Sequence, residues 1–221
     1  MFPTECAPSR RNFLKTAAIA TVGASGLSLL PQPAFSADAS KEDEINIIGP
    51  KKGYSPQIGT LVSEMTWMRT TMLHSVKGMS QKDLDFLLDG KANTIGAMLW
   101  HLAATDRIYQ LNTFEGNALK ELPGDFTEKF GVAMDLGEPA RKAIKGHDLD
   151  FYLKLLSETR EHTLAEFRKR DDTWLLAVDK EWGWGPTNNY CKWFHVCEHE
   201  SNHNGQIKLL KSRLPGAKPS E

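Results

Sequence analysis

The 221-residue chain lacks the compositional extremes that mark several classes of protein. Three cysteines are too few for a disulfide-stabilised scaffold of this length. Its 27 basic and 28 acidic side chains nearly cancel, which argues against a nucleic-acid binder and against binding to anionic lipid. With 40% hydrophobic and 25% charged residues, it is not a disordered polyelectrolyte either. The composition predicts a globular domain with an appendage, and its function must come from particular residues.

A long hydrophobic run is also absent from the N-terminal region. The sequence Ser9-Arg10-Arg11-Asn12-Phe13-Leu14-Lys15 precedes a mildly apolar run of about 15 residues, whereas a membrane-spanning helix needs about 20. This pattern is typical of a twin-arginine signal peptide, which we place at residues 1–39. We expect cleavage after Ala39, with Ser36 or Ala37 as alternatives. The twin-arginine translocase would then deliver a periplasmic or otherwise exported protein that keeps no stable membrane span.

The remainder of the chain predicts an all-α fold. Apolar residues recur at helical spacing in four long segments, at 56–77, from 93 or 94 to 114, 148–170 and 188–213. With no credible alternating strand pattern, they indicate a four-helix bundle over residues 55–214. Residues 40–54 form a polar lead-in, and residues 215–221 a C-terminal tail. Between the second and third helices lies one long crossover, residues 115–146, with a short helix expected near 138–145; a connection of this length usually has a task such as covering a site.

Local signals mark where helices begin. Ser55 precedes Pro56 and is expected to cap the first helix, because proline is favoured in a first helical turn. Ser80, with Asp83 three residues on, predicts a capping box ahead of a short helical piece that ends near Asp89.

The strongest chemical signal is a row of histidines on the fourth predicted helix. His195, His199 and His203 are four residues apart, and each such step rotates only about 40° around a helix. His199 and His203 can therefore direct imidazole nitrogens at one metal ion. His195 extends the row, but three residues along about 12 Å of one helix cannot all reach one ion, so we place His195 in the adjoining pocket. The alternative is that these are buried or surface histidines without a metal.

A third ligand must come from another helix. His101 is the best candidate, because it lies on the inward side of the second helix. A lone buried histidine is more often a hydrogen-bonded core residue, so this assignment depends on the pair on the fourth helix. His74, His147 and His162 are expected to be solvated.

Residues 199–203 also spell His-Glu-x-x-His, the motif of zinc metalloproteases. The rest of that motif is missing, since Gln206 and Leu209 stand where a metzincin would have Gly and His, so a protease is disfavoured. Glu200, or alternatively Glu198, is a candidate base or hydrogen-bond partner of an imidazole; both could equally be solvated helix charges.

Other residues near the predicted site are weaker candidates. Trp100, Trp184 and Trp193 are candidates to line the mouth of the pocket, although aromatic side chains are more often core. Asp106 is off the face of His101 and is a less favoured base. Cys191 and Cys197 are expected to be free or core thiols.

Two sets of motifs resemble the DinB superfamily. They are Gly78-Met79-Ser80 with Asn93-Thr94-Ile95-Gly96 and Leu99-Trp100-His101-Leu102-Ala103, and the final His195-Val196-x2-His199-Glu200-x2-His203-x-Gly205-Gln206-Ile207. The resemblance implies a DinB-like four-helix bundle that binds a divalent metal ion, commonly zinc or nickel, through one histidine of the second helix and two of the fourth. By position these are His101, His199 and His203. It also implies a range of activities that includes thiol S-transferases and relatives of maleylpyruvate isomerase. This chain differs in its export signal and its long crossover.

The expected function follows from such a site. Three imidazoles leave one coordination position open, and a metal there lowers the pKa of a bound water or thiol. We therefore expect a metal-dependent transferase or hydrolase that acts on a small molecule, such as a thiol. The alternatives are a non-enzymatic metal-binding or interaction protein, and a bundle that binds no metal. A homodimer is compatible with a small bundle, but nothing in the sequence indicates one.

Overall fold

Residues 45–218 are described by the computed structural model. The expected signal peptide, its cleavage site and the last three residues lie outside the described residues. Among those described, no helix is both long enough and apolar enough to cross a membrane.

Four long helices build the fold, as the sequence predicts, and the all-α class is confirmed. They are α1 Pro56–Val76, α3 Ile95–Thr113, α6 Leu149–Phe167 and α8 Asn189–Lys211. The other described elements are shorter: α2 Gln81–Leu84, α4 Gly124–Asp135, α5 Gly137–Ala143, α7 Asp172–Leu176, and the antiparallel pair β1 Val178–Asp179 and β2 Thr187–Asn188. Helix α3 packs against α4, α6 and α8, while α1 packs against α8. This packing places the second and fourth long helices, which carry the candidate histidines, side by side.

The core consists of two clusters of buried side chains. One contains Met72, Leu99, Leu155 and Ile207, one from each long helix. The other lies toward the start of α8 and includes Met65, Phe167 and Trp193, among others. Burying a side chain of this size contributes roughly 1.5–3 kcal/mol. These contacts hold the two histidine-bearing helices in a fixed register.

The crossover contains more helix than the sequence predicts. The short helix expected near 138–145 is present as α5, but α4 was not anticipated because Gly and Pro flank it. Its buried residues, Phe126, Phe130 and Ala133, recur at helical spacing and face α3. Leu136 separates α4 from α5 with a φ of 53°, a left-handed conformation that turns the chain sharply. The crossover is thereby packed against the helix that carries His101.

The helix starts confirm one predicted cap and correct another. Ser80 and Asp83 form the expected capping box. Ser55 is at the N-cap position of α1, yet its side chain caps no amide. Its hydroxyl instead donates to Asp172, and the Asp172 carboxylate accepts hydrogen bonds from the backbone N–H groups of Gln57 and Ile58. The acceptor at the start of α1 therefore comes from α7, more than 100 residues away, and no local pattern reveals it.

Candidate metal centre

Three imidazoles, those of His101, His199 and His203, meet where α3 faces α8. The Nε2 atom of His199 lies 2.8 Å from that of His101 and 3.2 Å from that of His203. Nitrogens that share a tetrahedral zinc ion at about 2.0–2.1 Å stand roughly 3.3 Å from one another. The cluster is therefore compact enough to hold one divalent ion.

A hydrogen bond from the crossover orients the first of these histidines. The Nδ1 atom of His101 lies 2.9 Å from the carbonyl oxygen of Ala133 in α4. A carbonyl oxygen can only accept, so Nδ1 carries the hydrogen and Nε2 presents its lone pair to the cluster. His203 Nδ1 is also buried, and it has no hydrogen-bond partner among the described residues.

Burial keeps the cluster uncharged near neutral pH. Desolvation, reinforced by His203, His101 and His195, lowers the pKa of His199 to about 3. Desolvation and the neighbouring His101 lower the pKa of His203 to about 4. For His101, too, burial lowers the pKa, although the hydrogen bond to Ala133 opposes it. Neutral imidazole is the form that binds a metal ion, so all three are ready ligands.

The fourth histidine of the motif lies beside the cluster. The ring of His195 is 5.2 Å from that of His199 between centroids, and its Nδ1 is 2.8 Å from the hydroxyl oxygen of Tyr109. Burial raises the pKa of Tyr109, so this hydroxyl keeps its proton. The hydrogen bond to Tyr109 engages Nδ1 and leaves Nε2 of His195 as the ring nitrogen without this partner.

A cavity of about 230 Å³ opens next to the cluster and has His101, His195 and His199 in its wall. Its other walls come from α3, the crossover and the loop between β1 and β2. A larger depression of about 850 Å³ near the C-terminal end of α8 touches none of these histidines. The smaller cavity is therefore the one that is relevant to chemistry at the site.

The three tryptophans considered as pocket residues have different positions. Trp184 lines the cavity, with its ring 4.9 Å from that of His195. Trp100 does not: it packs against His147 and Phe151 on the other side of α3. Trp193 is fully buried in the core. The expectation that Trp100 lines the pocket is therefore not met by the geometry.

The remaining histidines are not part of the cluster. His74 and His162 are exposed, as expected. His147 is half-buried and stacks on Phe151 with 3.9 Å between the ring centroids, so the expectation that it is solvated is wrong.

Glu200, the candidate base, points away from the histidines into a buried network of charges. It is 1% exposed and accepts hydrogen bonds from Arg69 Nε and, at 2.9 Å, from Arg160 Nη2. Asp106 completes the network by accepting from Arg160 Nε at 3.0 Å. No described histidine hydrogen-bonds to Glu200. The Glu200 carboxylate links α8 to α1 and α6, so Glu200 is neither a base beside the histidines nor a solvated charge. Glu198, the alternative candidate, is exposed.

Sequence reasoning missed both arginines of this network. The available signal was their place on apolar stripes: Arg69 follows Met65 by four residues, and Arg160 follows Leu156 by four. A charged residue on a buried face needs a buried partner of opposite sign. On that basis the sequence indicates that the two arginines pair with Asp106 and Glu200.

Comparisons with known proteins agree with this architecture. A family model described as mycothiol-S-transferase matches residues 60–216, well over half of the chain. A crystal structure of a conserved protein from Enterococcus faecalis is similar, with a TM-score of 0.53, 16% sequence identity, and coverage of 69% of this chain and 93% of that one. At that identity the likeness concerns the fold alone. No curated protein matches the chain significantly.

Proposed function

This chain belongs to the mycothiol-S-transferase family, a DinB-like family, and we propose that it is a metal-dependent transferase whose substrate is a small-molecule thiol. The observation that carries the proposal is the convergence of three neutral imidazoles on one point beside a cavity. Family membership supplies the class of reaction, and the cluster supplies a place for it.

The donor set fits a divalent metal of borderline softness. His101, His199 and His203 would hold the ion through Nε2, and imidazole ligands suit zinc and nickel. When bound by three imidazoles, such an ion offers an open coordination position and lowers the pKa of a thiol or water that occupies it.

The chain's own groups prepare the site around that position. The Ala133 carbonyl fixes the tautomer and orientation of His101. Tyr109 orients His195 through a hydrogen bond to its Nδ1. The apolar cavity wall shields one side of the cluster from water, which strengthens electrostatic interactions there. These groups bind and orient the reactants without supplying a charged base.

The first experiment is the metal content of residues 40–221, purified without a histidine tag. About one zinc or nickel ion per chain is expected. His101→Ala and His203→Ala should lower metal affinity at least about 10-fold, because each removes one of three ligands. His162→Ala is the matched control, since His162 is exposed and outside the cluster. Equal losses in all three variants, or none, would contradict the assignment.

The second experiment measures the transfer reaction. The metal-loaded protein is given mycothiol and an electrophile, and loss of free thiol is followed over time. Activity should disappear in His101→Ala and after removal of the metal with a chelator, and it should return when the ion is restored. Thiol consumption that is indifferent to the chelator would exclude a metal-dependent transferase.

We also propose that the chain is exported by the twin-arginine route, on the strength of Arg10 and Arg11 ahead of an apolar run. Cleavage after Ala39 or nearby would leave the mature protein in the periplasm or outside the cell. In a bacterial host, exchange of both arginines for lysine should retain the uncleaved chain in the cytoplasm. Unchanged export of that variant would refute the proposal. The homodimer suggested above stays a prediction.

A further inference from the structure

The cavity beside the histidine cluster has walls that favour one kind of molecule. Apart from three histidines, Thr105 and Gly183, it is lined by large apolar or aromatic side chains: Ile108, Tyr109, Leu119, Met134, Trp182 and Trp184. None of the described residues that line it is a lysine, an arginine, an aspartate or a glutamate. These side chains therefore offer a charged ligand no ionic partner in return for its lost hydration.

Aromatic rings form a continuous wall on one side of this cavity. The ring of Tyr109 is 5.7 Å from that of Trp182 and 5.8 Å from that of His195. Trp184 completes the wall, with its ring centroid 5.6 Å from that of Trp182 and 4.9 Å from that of His195. Aromatic pairs prefer centroid separations of about 4.5–7 Å, so a flat ring placed against this wall would find suitable partners.

The mouth of the cavity carries unusually exposed apolar surface. Trp184 is 58% exposed and Leu119 is 38% exposed, and they come from separate loops. Exposed apolar side chains that border a concavity are a common mark of a binding site. The volume of about 230 Å³ exceeds the roughly 150 Å³ of an engineered apolar cavity that accepts benzene. One aromatic ring with a short substituent is therefore the right size.

The polar groups of the wall leave one position for a polar substituent. The hydroxyl of Thr105 donates within α3 to the carbonyl oxygen of His101. The hydroxyl of Tyr109 is hydrogen-bonded to His195 Nδ1, which leaves His195 Nε2 as the nitrogen of that ring available to a ligand. A short polar substituent, such as a carbonyl or hydroxyl group, would meet this nitrogen.

We propose that this cavity binds the second substrate, and that this substrate is an uncharged molecule with one aromatic ring and a short polar substituent. The inference rests on the proposed function, because it places the acceptor of the thiol beside the histidine cluster. It names the substrate class that the family assignment leaves open.

The test uses acetophenone as the neutral probe, with benzenesulfonate and phenyltrimethylammonium as charged probes of similar size. Binding to residues 40–221 freed of metal with a chelator is measured by calorimetry and by the change in tryptophan fluorescence, because a bound zinc ion would itself attract benzenesulfonate. Acetophenone should bind at least about 10-fold more tightly than either ion, since neither charge finds a partner among the side chains of the cavity. Equal or tighter binding of a charged probe would overturn the proposal.

A matched pair of variants locates the binding site. Met134 lines the cavity, whereas Val132, two residues earlier on the same helix, is 44% exposed and does not. Met134→Glu should weaken acetophenone binding at least about 10-fold, because it places a charge in the apolar wall, and Val132→Glu should leave it unchanged. Circular dichroism establishes that both variants are folded. Equal effects of the two substitutions, or full binding by Met134→Glu, would refute the location.

Failure of this proposal is distinguishable from failure of the proposed function. A protein that binds one ion per chain and transfers thiol, but does not bind acetophenone, overturns the cavity assignment alone. A protein that binds acetophenone at Met134 without holding a metal upholds the cavity and overturns the metal-dependent function.

Discussion

Removal of the Glu200 side chain should destabilise the fold severely. In Glu200→Ala the guanidinium groups of Arg69 and Arg160 lose their shared partner while they remain buried, at 8% exposure each. Asp106 is then the only carboxylate left in the network, with its Oδ2 atom 3.0 Å from Arg160 Nε and 3.5 Å from Arg69 Nη2. Two positive charges and one negative charge replace a balanced set of four.

The magnitude follows from the cost of breaking a buried ion pair. Removing one partner of such a pair typically costs about 3–5 kcal/mol, because it leaves an uncompensated charge in a low dielectric. For a domain of this size each kcal/mol lowers Tm by about 2–4 °C, so Tm should fall by roughly 6–20 °C. Glu200→Gln retains the side-chain volume and one acceptor oxygen, and it should fall between wild type and alanine.

Urea and thermal unfolding of residues 40–221 measure this effect, with Glu198→Ala as the control. Glu198 is two positions away on the same helix and is exposed, so its removal should change stability by no more than about 0.5 kcal/mol. The reasoning is refuted if Glu200→Ala is as stable as wild type but loses thiol transfer. Glu200 would then act in the reaction, and its ion pairs with Arg69 and Arg160 would not stabilise the fold.

Three further predictions concern other contacts. Asp172→Ala should cost about 1–2 kcal/mol of stability, because it removes the acceptor at the start of α1. Burial raises the pKa of Asp172, but the hydrogen bonds from the start of α1 outweigh burial and lower that pKa. The stabilisation is therefore present above about pH 4 and lost as the pH falls, which unfolding at pH 3 and pH 7 would detect. Lys192 is 2% exposed, and its Nζ lies 4.2 Å from the ring centroid of Trp182, so we expect it to hold this ring in the cavity wall. Lys192→Met should weaken acetophenone binding but leave metal content intact. Unchanged acetophenone binding would exclude this role. Gly96→Ala should cost about 1–3 kcal/mol, because its Cβ would lie 2.5 Å from the hydroxyl oxygen of Tyr152; a Tm equal to that of wild type would contradict this close contact.

Local periodicity was sufficient for the main elements of the fold. The four long helices have apolar residues at regular spacing and clear starts, such as Thr94 and Asp148, whose side chains accept from the first-turn amides of α3 and α6. The row of histidines on α8 is likewise a local pattern. The pairing with His101 required only that α3 and α8 be neighbours in a bundle.

What the sequence did not reveal depends on contacts between distant segments. Glu200 looked like a metalloprotease base because the motif is read along one helix, whereas its partners Arg69 and Arg160 are 131 and 40 residues away. The contact of His101 with the carbonyl of Ala133 is made by backbone, so no side-chain pattern could indicate it.

The long crossover contacts both the histidine cluster and the cavity beside it. Its helix α4 supplies the carbonyl that orients His101, and the next residue of that helix, Met134, lines the cavity. A shift of α4 would therefore change the orientation of the His101 imidazole and the shape of the cavity wall together. Leu119, earlier in the same crossover, contributes to the mouth. Changes of sequence in this segment should alter substrate preference and metal affinity jointly, whereas changes confined to the loop of Trp184 should alter substrate preference alone.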